Sequence, residues 1–186
     1  MKKAVFLDRD GTIVEEVEFL SKVKNMKLIE GSAEALSRLG EAGYLLIVVS
    51  NQSGVARGLF DDGAVERINV ALAKELNAAG AKVEMFLWCP HHPDFSGGCG
   101  CRKPSPGMIL AAARELNVDL SASWMVGDKL SDIEAGRSAG THTALVRTGY
   151  GKSFESTMKK KGVIPDGVFD DIGKFTEALL GGAKEQ

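Results

Sequence analysis

Cysteine is scarce in this chain and odd in number: three residues, Cys89, Cys99 and Cys101. None has an evident disulfide partner, which points to a reducing cytoplasm and to thiols used for something other than bridges. Long apolar runs are missing as well. The first, Ala4-Val5-Phe6-Leu7, stops at Asp8, too soon for a secretion signal, and no later segment has the length to span a bilayer. A strong charge of either sign is also absent. The formal net charge of -2 argues against a general nucleic-acid or membrane binder, so an anionic ligand has to be met by local basic groups. Repeats and low-complexity stretches do not occur. What is present is 186 residues, 44% of them hydrophobic, which suits one α/β domain with a full core and argues against disorder.

Periodicity divides the chain into alternating strands and helices. Ala4-Val5-Phe6-Leu7 reads as a buried strand. The segment from Ile13 to Glu30 mixes acids, lysines and scattered apolar residues and reads as a flap over that strand's end. Gly31-Ser32 marks a helix start, with Leu36, Leu39 and Ala42 on one face and Gly43 as the stop. Tyr44 to Val49 is a second buried strand, followed by a loop with Ser50, Asn51, Gln52, Gly54 and Gly58. Asp62 opens a helix that Val65, Ile68, Leu72 and Leu76 carry to Gly80. Val83 to Trp88 is the third strand, and a loop rich in Cys, His, Gly and Pro runs from Cys89 to Lys103. Ser105-Pro106 has the character of a cap and first turn, for a helix presenting Met108, Ile109, Ala112, Ala113 and Leu116.

Trp124 to Val126 is a short strand that ends on Gly127-Asp128, and a helix runs from about Ser131 to Gly140. Thr143 to Val146 is the fifth strand. A loop rich in Gly, Ser and Lys, a weak strand near Val168-Phe169, a helix through Ile172, Phe175 and Leu179, and a frayed tail from Gly181 to Gln186 complete the expectation. The alternation predicts an α/β fold: a Rossmann-like parallel sheet covered by helices on both faces, in a single domain over 1–186.

The chemistry-bearing residues cluster in that scheme. Side chains at i and i+2 point the same way from an extended backbone, so Asp8 and Asp10 project together from the end of the first strand. Two crowded carboxylates need a cation, a shared proton or a phosphate chemistry that uses both. Gly11 allows a sharp turn there, although Asp-Gly is also common turn chemistry. Asp8, Asp10, Ser50, Lys103 and Asp128 all fall at or just beyond the C-terminal ends of strands, where open parallel sheets bind ligands.

Four blocks in order carry a family resemblance: Asp8-Arg9-Asp10-Gly11-Thr12, Val48-Val49-Ser50-Asn51-Gln52, Lys103 before a helix, and Gly127-Asp128-Lys129-Leu130-Ser131-Asp132. From Ala4 to Gly149 the chain resembles the haloacid dehalogenase superfamily of phosphohydrolases. Ser50-Asn51-Gln52-Ser53-Gly54-Val55-Ala56-Arg57-Gly58, Cys101-Arg102-Lys103-Pro104, Gly127-Asp128-Lys129 and Val146-Arg147-Thr148-Gly149 are similar to the heptose bisphosphate phosphatases, and next to the histidinol-phosphatase domain family.

The resemblance implies a mechanism that agrees with the residues. A phosphate monoester resists attack because its charge repels nucleophiles, so the charge must be neutralised and a nucleophile held in place. Asp8 would attack phosphorus and form an aspartyl-phosphate, while Asp10 would protonate the leaving alkoxide and then take a proton from the attacking water. A catalytic Mg2+ is implied on Asp8, the Asp10 carbonyl and Asp128. Asp132 has two readings, as holder of a metal-bound water or as an aspartate serving the helix start. Ser50, aided by the Asn51 amide, and Lys103 would stabilise the phosphoryl group. Lys129 would add charge near the nucleophile or lie exposed.

Cys89, His91, Cys99 and Cys101 form a second constellation. Three thiolates and an imidazole make a closed tetrahedral Zn2+ site, structural because no position is open, and the soft ligands argue against Mg2+. His92 is the rival ligand, expected to face solvent. Clamping Cys101 would fix how Arg102 and Lys103 project, and Arg102 can meet a phosphate with two bonds. Substrate contacts are implied at Glu16, Val17, Glu18, Phe19, Asn51, Gln52, Ser53, Arg102 and Lys129. The heptose family usually has Asp and Tyr where this chain has Glu16 and Phe19.

No insertion is large enough for a cap domain, so the chain is expected to be capless, with the flap (13–30) and the zinc loop (89–103) covering a small phosphorylated substrate, a sugar bisphosphate. A cytoplasmic monomer is expected, with no nucleic-acid or membrane partner. The rivals are a histidinol-phosphate phosphatase and, in another class, a phospho-accepting receiver domain.

Overall fold

The structure, a computed structural model, describes residues 1–181; the rest of the expected frayed tail, 182–186, lies outside the described residues. Six strands, β1 (Ala4–Leu7), β2 (Leu45–Asn51), β3 (Val83–Cys89), β4 (Trp124–Gly127), β5 (His142–Val146) and β6 (Gly167–Phe169), form one parallel sheet in the order β3-β2-β1-β4-β5-β6. The strand nearest the N-terminus is therefore central. Every residue of β1 is buried, which accounts for its unbroken apolar run. The chain winds outward from β1 to one side and then to the other, and β1 marks the reversal at which open parallel sheets bind ligands.

Among the described residues seven α-helices accompany the strands: α1 (Ser32–Glu41), α2 (Asp62–Ala78), α3 (Pro93–Ser96), α4 (Gly107–Leu116), α5 (Leu130–Ala139), α6 (Gly151–Lys161) and α7 (Ile172–Gly181), which follows β6. Strand alternation divides the core. Val5, Leu7, Leu46, Val48 and Val126 pack with Leu36 and Leu39 of α1, Ile68, Leu72 and Leu76 of α2 and Phe175 of α7. Ala4, Phe6, Ile47, Val49 and Met125 face Met108, Ile109 and Ala112 of α4 and Ala135 of α5. The flap joins the first of these layers through Ile13, Val14, Leu20 and Met26. Neither the flap nor the loop after β3 adds a second sheet among the described residues, as expected of a capless chain.

Two expectations need correction. The loop foreseen after β5 contains α6. Its Gly-Lys-Ser sequence has weak helical character, but Phe154 and Met158, one turn apart, close a small core with Leu130, Ile133 and Leu145, and three lysines in the last turn suit the helix dipole. Helix α4 starts at Gly107 rather than on a Ser105 cap, and no side chain caps it. The Gly107 amide donates instead to the Gly100 carbonyl at 3.1 Å, so the cysteine-bearing loop supplies the partner that Ser105 was expected to provide. A side chain at Gly107 would collide with that same carbonyl.

Candidate active site

Asp8 follows β1 directly and is 4% exposed. Its Oδ1 accepts from Lys103 Nζ at 2.9 Å, although 95 residues separate them. Lys103 Nζ also donates to the Val49 carbonyl at 2.7 Å and lies 2.7 Å from Asp132 Oδ1, an ion pair outside good hydrogen-bonding alignment. Burial opposes ionisation of Asp8, but the charges of Lys103 and then Lys129 outweigh it and hold its carboxyl below the ordinary value. Burial likewise opposes the charge on Lys103, and Asp132 and Asp8 outweigh it. Asn51, at the end of β2, clamps the Lys103 backbone: its Nδ2 donates to the Lys103 carbonyl at 2.9 Å and its Oδ1 accepts from the Lys103 amide at 3.0 Å. Its side chain thus serves the lysine.

Asp10 is held by groups from two other positions. Arg9 Nη2 donates to its Oδ2 at 2.9 Å, and Gln52 Nε2 donates to the same oxygen at 2.8 Å. Gln52 Nε2 also lies 3.3 Å from Ser50 Oγ, which ties the hydroxyl of β2 to the second aspartate. Ser50 itself is buried.

Asp128 follows β4 and is wholly buried. The Tyr150 amide donates to its Oδ2 at 2.9 Å. Its Oδ1 is buried without a hydrogen-bond partner, the nearest cation being Lys129 Nζ at 3.4 Å. Asp8, Asp128 and Asp132 each offer a carboxylate oxygen, all within 4.8 Å of one another. Burial, and then the charge of Asp8, push the Asp128 carboxyl up to about 8. An orphaned carboxylate oxygen in so crowded an acidic set fits a hard divalent cation, which lets all of them ionise. Asp132 also serves the helix start: its Oδ2 accepts from the Lys129 amide at 3.0 Å, at the head of α5.

Lys129 is not a plain exposed lysine. Its Nζ lies 3.0 Å from Glu16 Oε2 and 3.9 Å from Asp8 Oδ2, and it lies over the Tyr150 ring. Burial opposes its charge; Asp8, Asp128 and Glu16 together hold it protonated. Burial raises the Glu16 carboxyl despite the pairing.

The cleft above these groups encloses about 550 Å³. Glu16, Val17, Glu18 and Phe19 of the flap, Asn51, Gln52 and Ser53 after β2, and Arg102, Lys103 and Lys129 all line it. Arg102 Nη1 donates to the His91 carbonyl at 2.9 Å, which leaves the rest of its fork on the cleft. His92, expected to face solvent, lines the open cleft, and its Nδ1 accepts from the Asp94 amide at 3.3 Å at the start of α3. Phe60, Tyr150 and Ser131 line it too and were not foreseen, since nothing in their local pattern sets them apart from core or capping residues. Beneath the cleft a small cavity of about 30 Å³ is bounded by Asp8, Asp10, Lys103, Lys129 and Asp132, among others.

The thiol cluster forms as expected. Cys101 Sγ lies 3.1 Å from Cys89 Sγ and 3.2 Å from Cys99 Sγ, Cys89 and Cys99 are 3.5 Å apart, and His91 Nδ1 is 3.6 Å from both Cys89 and Cys101. These separations approach the edges of a tetrahedron, the geometry of a closed soft-metal site.

Comparison with known proteins fixes the family. A D-glycero-beta-D-manno-heptose-1,7-bisphosphate 7-phosphatase of Pasteurella multocida is 44% identical over 154 residues, covering 80% of this chain and 84% of that one. The chain belongs to the heptose bisphosphate phosphatases of the haloacid dehalogenase superfamily. Residues 100–175 also match the HAD-hydrolase-like family. A Pseudomonas aeruginosa phosphatase of the same name is 37% identical over 96% of this chain and 98% of its own length. A D,D-heptose 1,7-bisphosphate phosphatase of B. bronchiseptica, crystallised with magnesium and phosphate, superposes with a TM-score of 0.88 at 36% identity, over 97% of this chain and 99% of that one. Membership of this phosphatase family makes the chain a phosphoric monoester hydrolase, and the receiver-domain reading is set aside.

Proposed function

We propose that the enzyme removes the 7-phosphate of D-glycero-β-D-manno-heptose 1,7-bisphosphate, through an aspartyl-phosphate on Asp8. The observation that carries this reading is the buried Asp8–Lys103 contact of 2.9 Å, at the floor of a cleft walled by the flap and Arg102. Asp8, held ionised, attacks phosphorus, and the bond from phosphorus to the sugar oxygen breaks. Asp10 gives its proton to the departing alkoxide. It then takes a proton from the water that attacks the aspartyl-phosphate, so that inorganic phosphate leaves and Asp8 is restored. Lys103 and the Ser50 hydroxyl meet the charge on the transferring oxygens. The relative crystallised with magnesium supports Mg2+ here. Asp8, the Asp10 carbonyl and Asp128 would hold it, and it would supply positive charge against the carboxylates and the phosphoryl group. Glu16 and Glu18 suit sugar hydroxyls, Val17 and Phe19 suit the carbon edges, and Ser53, Arg102 and Lys129 suit the second phosphate.

Zn2+ on Cys89, His91, Cys99 and Cys101 would be structural, since four protein ligands close the shell. We read 1–181 with its tail as one catalytic domain, acting as a monomer. Its reduced thiol cluster suits the cytoplasm, and no described helix is long and apolar enough to cross a membrane.

Initial rates on both heptose bisphosphate anomers, histidinol phosphate and p-nitrophenyl phosphate test the reading. The β-anomer is expected to give the highest kcat/KM, and Asp8→Asn to abolish turnover of all four. Faster turnover of histidinol phosphate would overturn the substrate, and appreciable activity of Asp8→Asn would overturn the nucleophile.

A further inference from the structure

The proposed reaction uses Asp10 twice, and the residue that holds it has no part in the chemistry above. Arg9 is 0% exposed and ranks first in volume among the fully buried side chains. Its Nε lies 3.2 Å from both Asp10 carboxylate oxygens, and its Nη2 lies 2.9 Å from Oδ2. The far side of the fork is tied down as well: Nη1 donates to Asn69 Oδ1 at 3.1 Å, 60 residues along the chain on α2. Asn69 is itself 8% exposed. Gln52 meets the same Asp10 oxygen from across the cleft. A buried guanidinium is costly to desolvate, and a packed apolar side chain could fill its space at less expense. The planar fork does what no apolar group can: it fixes the plane of a carboxylate by several donors at once.

We propose that Arg9, anchored by Asn69, is a positioning residue that aims the Asp10 carboxyl at the leaving oxygen. The inference deepens the acid role of Asp10 proposed above and depends on it. Its signature follows from the leaving group. A sugar alkoxide is a strong base and needs a well-placed proton as the bond to phosphorus breaks; p-nitrophenolate is a weak base and departs without one. Misaimed Asp10 therefore slows the sugar phosphate and spares the aryl phosphate. A defect in folding, in Asp8 or in binding of the transferring phosphoryl group slows both alike.

The test measures kcat/KM, which reports the steps through departure of the alcohol, for heptose bisphosphate and for p-nitrophenyl phosphate. It compares wild type, Arg9→Lys, Asn69→Ala, Asn69→Asp and Asp10→Asn. Positioning losses reach about 100-fold for misplacement by an ångström, so Arg9→Lys is expected to lose about that much on the sugar phosphate and under about threefold on the aryl phosphate. Asn69→Ala, which keeps the Arg9–Asp10 pair and so disturbs the fold least, is expected to show the same selectivity at about tenfold. Asn69→Asp restores an acceptor for Arg9 and is expected to recover the sugar rate. Equal losses on both substrates for Arg9→Lys and Asn69→Ala, or wild-type rates on both, would overturn the anchor. If Asp10→Asn itself loses equally on both, the acid role fails and the anchor's purpose goes with it.

Discussion

Gly149 and Gly11 hold the Asp128 carboxylate between them. Both have left-handed backbones, with φ of 53° and 86°, and a Cβ on either would collide with Asp128 Oδ2. The Thr148 hydroxyl, one residue before Gly149, donates to the Gly11 carbonyl at 2.6 Å and keeps the two loops together. Gly149→Ala is therefore expected to displace Asp128 and weaken the proposed Mg2+ site by about 10–100-fold, the range seen when groups supporting a metal ligand are changed. The Mg2+ concentration for half-maximal rate measures this. Asp8, Asp10, Ser50, Lys103 and Asp128 were legible because each follows a readable strand or precedes a readable helix. Arg9 and Asn69 were not. A charged residue between two aspartates at a strand end and a lone asparagine on an amphipathic helix are ordinary by pattern. Only their meeting in space gives them meaning. Lys129 was named beside the nucleophile, but its pairing with Glu16, on a flap without periodicity, was not foreseen.

The cysteine-bearing loop is tied at several points to what surrounds it. Gly100 accepts from the head of α4, Arg102 is fixed to the His91 carbonyl, and Asn51 grips the Lys103 backbone. The Arg57 guanidinium lies 4.7 Å from the Phe95 ring of α3 and 5.7 Å from the Phe19 ring of the flap, so one cation bridges the two segments. The loop thereby ties a thiol cluster to the backbone and side-chain positions of Arg102 and Lys103, the two cations proposed to meet phosphate. Cys101→Ser is expected to leave the proposed Zn2+ substoichiometric by elemental analysis, to raise KM through Arg102 and to lower thermal stability. An unchanged zinc content would discredit the ligand set. At this scale the reading failed where tertiary packing overrode local signals: α6 forms on two apolar contacts inside a Gly-Ser-Lys stretch, and α4 takes its first partner from a distant carbonyl.

The layers on either side of the sheet were foreseen from alternation alone, because parallel strands buried on both faces show unbroken apolar runs and their crossovers show helical periods. The order in which strands pair is absent from such patterns, so the central place of β1 emerged only in three dimensions. The outer end of the fold is closed by α7, whose Phe175 is 1% exposed and meets Trp124 and Phe169 edge-on with centroids 5.4 and 5.6 Å away. Phe175→Ala is expected to destabilise the fold by about 3–5 kcal/mol. That is a fall in Tm of roughly 6–20 °C for a chain of this length. Activity per folded molecule is expected to be kept, since the ring packs on Trp124 and Phe169 and lines neither the cleft nor the cavity beneath it.

The central place of β1 also bears on biosynthesis. Asp8 is made first, its partner Lys103 lies 95 residues further on, and the flanking strand β4 comes later still. Until then Asp8 has neither its counter-charge nor the second strand beside β1. A chain that stops short of Lys103 and β4 therefore carries the opening signature without the groups that complete its site.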